Sequence, residues 1–230
     1  MSSLALDDEI LMQVEKPARY IGKEINSVVK RPESVDIRMA MCFPDVYEIG
    51  MSHLGIQILY DMFNSYEDVW CERVYSPWPD LDKIMREREI PLFGLESQEP
   101  VKCLDFLGIT LQYEMCYTNI LQVLDLSQIP LLAKDRAEDD PIVMGGGPCS
   151  YNPEPIADFL ERERQDTGRF WIFIRTIRRR EGAVRIFCAG SVLCRESMCR
   201  DFMMCHTVRM AGLRRWSRIF PKRRSGLPKI

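Results

Sequence analysis

Val35-Asp36-Ile37-Arg38-Met39-Ala40-Met41-Cys42-Phe43 is a nearly unbroken apolar run, closed by Pro44-Asp45. A short apolar run bounded by turn residues reads as a buried strand. Gly50-Met51-Ser52-His53-Leu54-Gly55 follows as a loop, and apolar residues then fall at 56, 58, 59, 62 and 63. That spacing predicts a helix beginning near Ser52, whose hydroxyl can accept a free backbone amide. Strand, loop and helix in this order open a βα unit.

The same alternation continues downstream. Val69–Tyr75 reads as a second strand, and Pro77-Trp78-Pro79-Asp80 introduces a helix from Leu81 to about Glu89. Pro91–Leu95 is a short apolar segment, Phe106–Leu111 a buried strand and Tyr117–Leu126 a helix, which Thr118 or Asn119 could cap. Pro141-Ile142-Val143-Met144 is a further strand running into Gly145-Gly146-Gly147-Pro148. Residues 132–141 read as a charged connector. Strands alternating with helices of this size predict an α/β fold with a mostly parallel sheet and flanking helices.

In such sheets ligands bind beyond the carboxyl ends of the strands. Three loops fall there: 44–55, 112–119 and 145–152. They supply the candidate binding residues Asp45, Glu48, His53, Tyr113, Glu114, Asn119, Gly145, Gly146 and Gly147. Asp45 and Glu48 either hydrogen-bond a small-molecule ligand or close their own loop. His53 either faces that ligand or hydrogen-bonds backbone at the helix start. The triple glycine either brings backbone amides close to a ligand or makes a tight turn; it is not G-x-G-x-x-G. Trp78, between two prolines, reads as a packing wedge.

Composition divides the chain. The 230 residues carry a formal charge of -3, but residues 1–160 hold 13 basic and 28 acidic side chains, and residues 161–230 hold 18 and 6. A net -15 is therefore joined to +12, and the basic residues of the second part are two Lys and sixteen Arg. Such a tail is a nucleic-acid-binding arm, a solvated charge run or sequence never selected as protein. Its Cys188, Cys194, Cys199, Cys205 and His206 miss the usual paired spacings of metal ligands except at Cys194-x4-Cys199, so no metal site is expected. Cys42, Cys71, Cys103, Cys116 and Cys149 stand singly in apolar runs and read mostly as core thiols. No membrane-length apolar run and no export signal is present, so a cytoplasmic location is expected.

Several blocks, in order from about residue 11 to 159, resemble the leading domain of large radical S-adenosylmethionine proteins. They are Val14-Glu15-Lys16-Pro17-Ala18-Arg19-Tyr20-Ile21-Gly22, Phe43–Gly55, Glu72-Arg73-Val74-Tyr75 with Pro77-Trp78-Pro79-Asp80, and Leu92–Ser97. Leu111-Gln112-Tyr113-Glu114 with Tyr117-Thr118-Asn119, and Gly145–Cys149 with Asn152-Pro153-Glu154-Pro155, complete the set. The resemblance implies a Rossmann-like domain over 35–160, similar to cobalamin-binding domains, after an N-terminal extension over 1–34. It also implies a parent protein in which this domain partners an intramolecular radical SAM barrel. That barrel binds S-adenosylmethionine at a [4Fe–4S] cluster held by C-x3-C-x2-C. The motif does not occur in these 230 residues, so the fragment is expected to have no catalytic residues, no metal ligands and no cofactor of its own. The corrinoid signature D-x-H-x-x-G is also absent; His53 stands in Ser52-His53-Leu54-Gly55, which leaves cobalamin as an open alternative, as is nucleotide binding.

The family segment after Phe159 is expected to be a strand ending in Gly-Glu-Gly-Glu. The written residues are Leu160-Glu161-Arg162-Glu163-Arg164. Joining the third base of each codon to the first two of the next, with permitted synonymous choices, turns Glu161-Arg162-Glu163-Arg164 into Gly-Glu-Gly-Glu. In the same frame Glu196–Cys205 reads Gly-Val-Tyr-Val-Pro-Arg-Phe-Tyr-Asp-Val, which resembles a segment further along the family. Residues 161–230 are therefore expected to be a frame-shifted, non-native tail, accompanied by a small deletion, with no specific nucleic-acid partner. The missing strand leaves an expected unpaired sheet edge.

Overall fold

The computed structural model describes residues 6–161. The proposed frame-shifted tail, its cysteines and its arginine clusters lie outside the described residues.

Four parallel strands form one sheet in the order β2-β1-β3-β4: β1 (Ile37–Phe43), β2 (Val69–Tyr75), β3 (Phe106–Thr110) and β4 (Ile142–Gly146). Among the described residues five α-helices accompany it: α1 (Asp8–Leu11), α2 (Tyr47–Gly50), α3 (Leu54–Asn64), α4 (Pro79–Arg88) and α5 (Tyr117–Leu126). The expected α/β architecture is what the chain adopts. β1 and β3 are central and covered on both faces, which is why they read as continuous apolar runs. Among the described residues, no helix is long and apolar enough to cross a membrane.

α3 turns Ile56, Tyr60 and Phe63 toward the sheet at helical spacing. Its cap differs from the expected one. His53 is the N-cap and its Nδ1 accepts from the Ile56 amide at 3.3 Å, whereas the Ser52 hydroxyl donates back to the Glu48 and Ile49 carbonyls. The chain bends twice here, and Ser52 serves the end of α2 and not the start of α3. α4 has Pro79 at its first turn with Asp80 and Asp82, and Arg86 and Arg88 in its last, matching the helix dipole at both ends. α5 starts at Tyr117 with no side-chain cap, so Thr118 and Asn119 lie within the helix.

The segment after α4 covers the outer edge of β2. The Leu95 amide donates to the Arg73 carbonyl at 2.9 Å, and Phe93 bridges Pro100. Two arginines, Arg73 buried and Arg38 half-buried, secure this cover. Arg38 pairs with Glu72 at 2.6 Å and with Glu99, and Arg73 pairs with Glu96 at 2.7 Å and with Glu24. The Glu72 and Glu96 side chains are fully buried, so each depends on its arginine. The N-terminal extension is fastened as well: the Trp70 indole donates to the Val28 carbonyl and the Val28 amide donates to the Tyr60 hydroxyl.

The connector over 132–141 contains more than solvated charge. Arg136 is buried and binds the carbonyls of Pro130, Leu131 and Phe159 and the Glu161 carboxylate. At the outer edge of β4, the Glu161 amide donates to the Val143 carbonyl at 2.9 Å.

Candidate ligand-binding edge

From β1 the chain crosses to β2 on one side, and β3 lies on the other. This reversal sets a topological switch point beyond the carboxyl ends of β1 and β3, the usual ligand position in open α/β sheets. Asp45 leaves β1 here. Its Oδ1 accepts from the Val46 amide at 2.7 Å and its carbonyl accepts from the Ser76 amide at 3.0 Å, tying the exits of β1 and β2 together. The Tyr113 hydroxyl donates to Asp45 Oδ2 across 3.5 Å, and the nearby Asp45 charge raises the Tyr113 phenol above its ordinary value. Asn119 reaches back from α5 and donates to the Pro44 carbonyl at 3.0 Å. Asp45, Tyr113 and Asn119 thus meet at the switch point, with Tyr113 partly exposed.

The other candidates have different surroundings. Glu48 turns toward the N-terminal extension, where Arg19 grips both carboxylate oxygens at 2.9 and 3.0 Å and Lys16 stands at 3.3 Å. His53 packs on Phe43, ring centroids 5.0 Å apart, while capping α3. Glu114 opens a one-turn helix over Glu114–Cys116. Burial, assisted by Glu114, pushes the Cys149 thiol up. Gly145 is packed so closely that an added Cβ would stand 2.6 Å from Leu160 and 3.1 Å from Leu111. Gly147 has φ +129°, and its added Cβ would meet the Leu111 carbonyl oxygen at 2.8 Å. The triple glycine lets the chain fold back over the end of β3, where the Cys149 amide donates to the Leu111 carbonyl.

The Arg19 hydrogen bonds hold the Glu48 carboxyl at about 2, down from an ordinary 4.5. A carboxyl lowered on folding contributes stability above its unfolded value and loses it as pH falls through its folded one. The attachment of Arg19 to Glu48 is therefore expected to persist down to pH 4.5 and weaken toward pH 2. Carbon-detected NMR titration should place the Glu48 midpoint near 2, and Arg19→Ala should return it toward 4.5. An unshifted midpoint in that variant would remove Arg19 as the cause.

A second feature was not expected from sequence. Beside the exit of β2, Arg19, Tyr20, Tyr47, Tyr75 and Trp78 line a cavity of about 380 Å³, counted out to its open mouth. Arg19 stacks on the Trp78 ring, 5.0 Å from guanidinium to centroid, and Tyr47 meets Tyr75 edge-on. Trp78 is a packing wedge for Arg19 on one side and partly exposed on the other. The available signal was an aromatic at the last position of a strand, Tyr75, followed by Ser-Pro-Trp. Nothing local linked it to residues 19 and 20.

Comparison with known proteins adds what geometry alone does not contain. Residues 55–162 match the family described as radical SAM proteins, N-terminal. The matched segment holds β2, β3 and β4 with Tyr113 and Asn119, and begins after β1 and Asp45. The chain is also 26% identical over 126 residues to an uncharacterized protein of Methanocaldococcus jannaschii, an alignment covering 54% of this chain and 22% of that protein. The chain thus spans about a fifth of that relative's length. No solved structure matches it.

Radical SAM proteins, as the matched family is described, work with S-adenosylmethionine and an iron–sulfur cluster. The described residues do not fit a cluster. Cys42, Cys71, Cys116 and Cys149 are buried, Cys103 is exposed, and among the described residues no three His, Cys, Asp or Glu side chains are grouped to hold a metal. Burial raises the Cys42 and Cys71 thiols, disfavouring the thiolate that iron requires. His53 does not fit cobalt either. With Nδ1 accepting from the Ile56 amide, the neutral ring carries its proton on Nε2 and has no lone pair to offer.

Proposed function

We propose that residues 35–160 are the N-terminal, Rossmann-like module of a radical SAM protein, catalytically silent by itself, with a small-molecule ligand edge along the strand ends. The observation that carries this reading is the family match over 55–162, which covers three of the four strands of the parallel sheet. In the parent, a separate radical SAM barrel would supply the C-x3-C-x2-C cysteines, S-adenosylmethionine would bind there, and this module would position the barrel or its substrate. The parent's substrate is left unassigned. The tail from 161 is proposed to be a shifted reading frame, a reading supported by the two decoded segments and the charge reversal at residue 160.

Anaerobic reconstitution with iron and sulfide tests the catalytic part. The expected result is no stoichiometric cluster and no 5'-deoxyadenosine from S-adenosylmethionine under reducing conditions. A stoichiometric cluster with reductive cleavage would overturn it. The coding DNA across codons 155–165 and several hundred bases beyond tests the shifted frame; an alternative frame lacking C-x3-C-x2-C would count against it.

A further inference from the structure

The cavity beside β2 contains two polar groups whose hydrogen-bonding capacity the protein leaves unused. The Tyr75 hydroxyl is buried, in a residue 8% exposed, and has no hydrogen-bond partner among the described residues. Arg19 is 7% exposed; Nε and Nη2 engage Glu48, the Tyr20 hydroxyl stands beside the guanidinium, and Nη1 is buried with no hydrogen bond among the described residues. Both residues line the same cavity. Buried donors without acceptors are uncommon and costly, of order 1–3 kcal/mol each, so such a pair calls for an acceptor from outside the chain.

The surroundings select its charge. Lys16, Arg19 and Arg73 stand on the positive side; Glu24, Glu48, Glu96 and Asp80 stand on the negative side. Glu48 is on Arg19 with Lys16, and Glu24 is on Tyr47. Arg73, Glu24 and Glu96 act electrostatically on Tyr75, and Asp80 acts on Tyr20. The acids already outnumber the bases, so a further buried anion would have no surplus positive charge to meet it. The remaining walls are Val46, Pro77, Leu81, Leu92, Phe93 and Leu95. The enclosed room in the cavity is small, enough for a group about the size of a water.

We propose that this cavity is a binding subsite for one neutral oxygen acceptor, the carbonyl of an amide, held by the Tyr75 hydroxyl and Arg19 Nη1 between aromatic walls. It is separate from the switch point between β1 and β3 and independent of the radical SAM reading. A ligand lying along the strand ends would anchor its amide here and leave its remainder toward the open mouth.

The test is titration of the full chain with N-methylacetamide, with sodium acetate and sodium chloride in parallel. The indole N–H signal of Trp78, assigned by its loss in Trp78→Phe, serves as reporter. N-methylacetamide is expected to shift that signal saturably, with a midpoint on the order of 10–100 mM given the ceiling on affinity for so few atoms. Acetate should bind at least about threefold more weakly, as the charge balance requires. Tyr75→Phe should weaken the amide by at least about threefold, and Tyr113→Phe, at the switch point, should leave it unchanged. A second measurement guards against misfolding. Without ligand, Tyr75→Phe should melt at or above the parent temperature, because it removes an unused hydroxyl. A marked drop in melting temperature would mean that the hydroxyl already has a partner. That result, or an unsaturable shift shared with chloride, would overturn the proposal; tighter acetate binding would overturn its choice of a neutral acceptor.

Discussion

Arg73→Met is expected to destabilise the domain by about 3–5 kcal/mol, the usual cost of removing one partner from a buried ion pair. Arg73 Nε donates to Glu96 Oε1 at 2.7 Å, the Arg73 amide donates to Glu96 Oε2 at 2.7 Å, and Nη1 binds Glu24. Its guanidinium also lies over the Tyr60 ring, 4.9 Å from the centroid. The Glu96 side chain is fully buried, so the substitution strands a carboxylate with only the Arg73 amide and the Tyr60 hydroxyl beside it. Burial already raises the Glu96 carboxyl, and Arg73 opposes that rise. Without Arg73 the carboxyl should rise further. A group raised on folding contributes stability below its unfolded value and loses it as pH rises through its folded one. The deficit of Arg73→Met should therefore be smaller near pH 5 than near pH 8. Urea denaturation at both pH values measures this, and equal deficits would refute the stranded-carboxylate explanation. Arg73→Met combined with Glu96→Met should recover part of the loss, since two apolar groups need no partner.

Arg136→Met should cost a similar amount, about 3–5 kcal/mol, through a different segment. The Arg136 side chain is fully buried and donates to Pro130 O at 2.9 Å, Leu131 O and Phe159 O at 2.8 Å, and Glu161 at 3.1 Å. These acceptors come from the turn after α5 and from the chain leaving the 3-10 helix over Glu154–Phe159. Lysine has the charge but not the forked geometry, so Arg136→Lys should recover less than half of the loss. Amide hydrogen exchange gives a local reading. The Glu161 amide, bonded to Val143, should exchange faster in both variants, while the β1 amides should follow only the global stability. An unchanged Glu161 amide would show that Arg136 does not hold this segment at the edge of β4.

These two arginines mark where sequence reading was blind. Arg38 and Arg73 interrupt strand patterns, and Arg136 sits among Asp and Glu in what reads as a solvated connector. Arg38 and Arg73 are held inward by acids 23 to 61 residues away, and Arg136 is buried where two nearby carbonyls meet Phe159 and Glu161 from further along the chain. No local pattern encodes such pairing. Ser52 and His53 illustrate the same limit over a shorter range. Either can cap a helix, and only the turn between α2 and α3 decided that His53 does so.

The sequence by itself determined the four strands, the three long helices and their parallel α/β arrangement. Apolar periodicity and turn residues are local properties, and burial on both faces leaves few alternatives for runs such as Ile37–Phe43 and Phe106–Thr110. It also located the loops at the strand ends, which supplied Asp45, Tyr113 and Asn119. Tertiary structure alone decided which side chains meet there. It turned Glu48 onto Arg19, assigned His53 to a helix cap, and spent the triple glycine on close packing against Leu111. It also assembled a cavity from residues 19, 20, 47, 75 and 78. The physical reason is that secondary structure follows from neighbouring residues, whereas a site depends on where separate segments come to rest around one core.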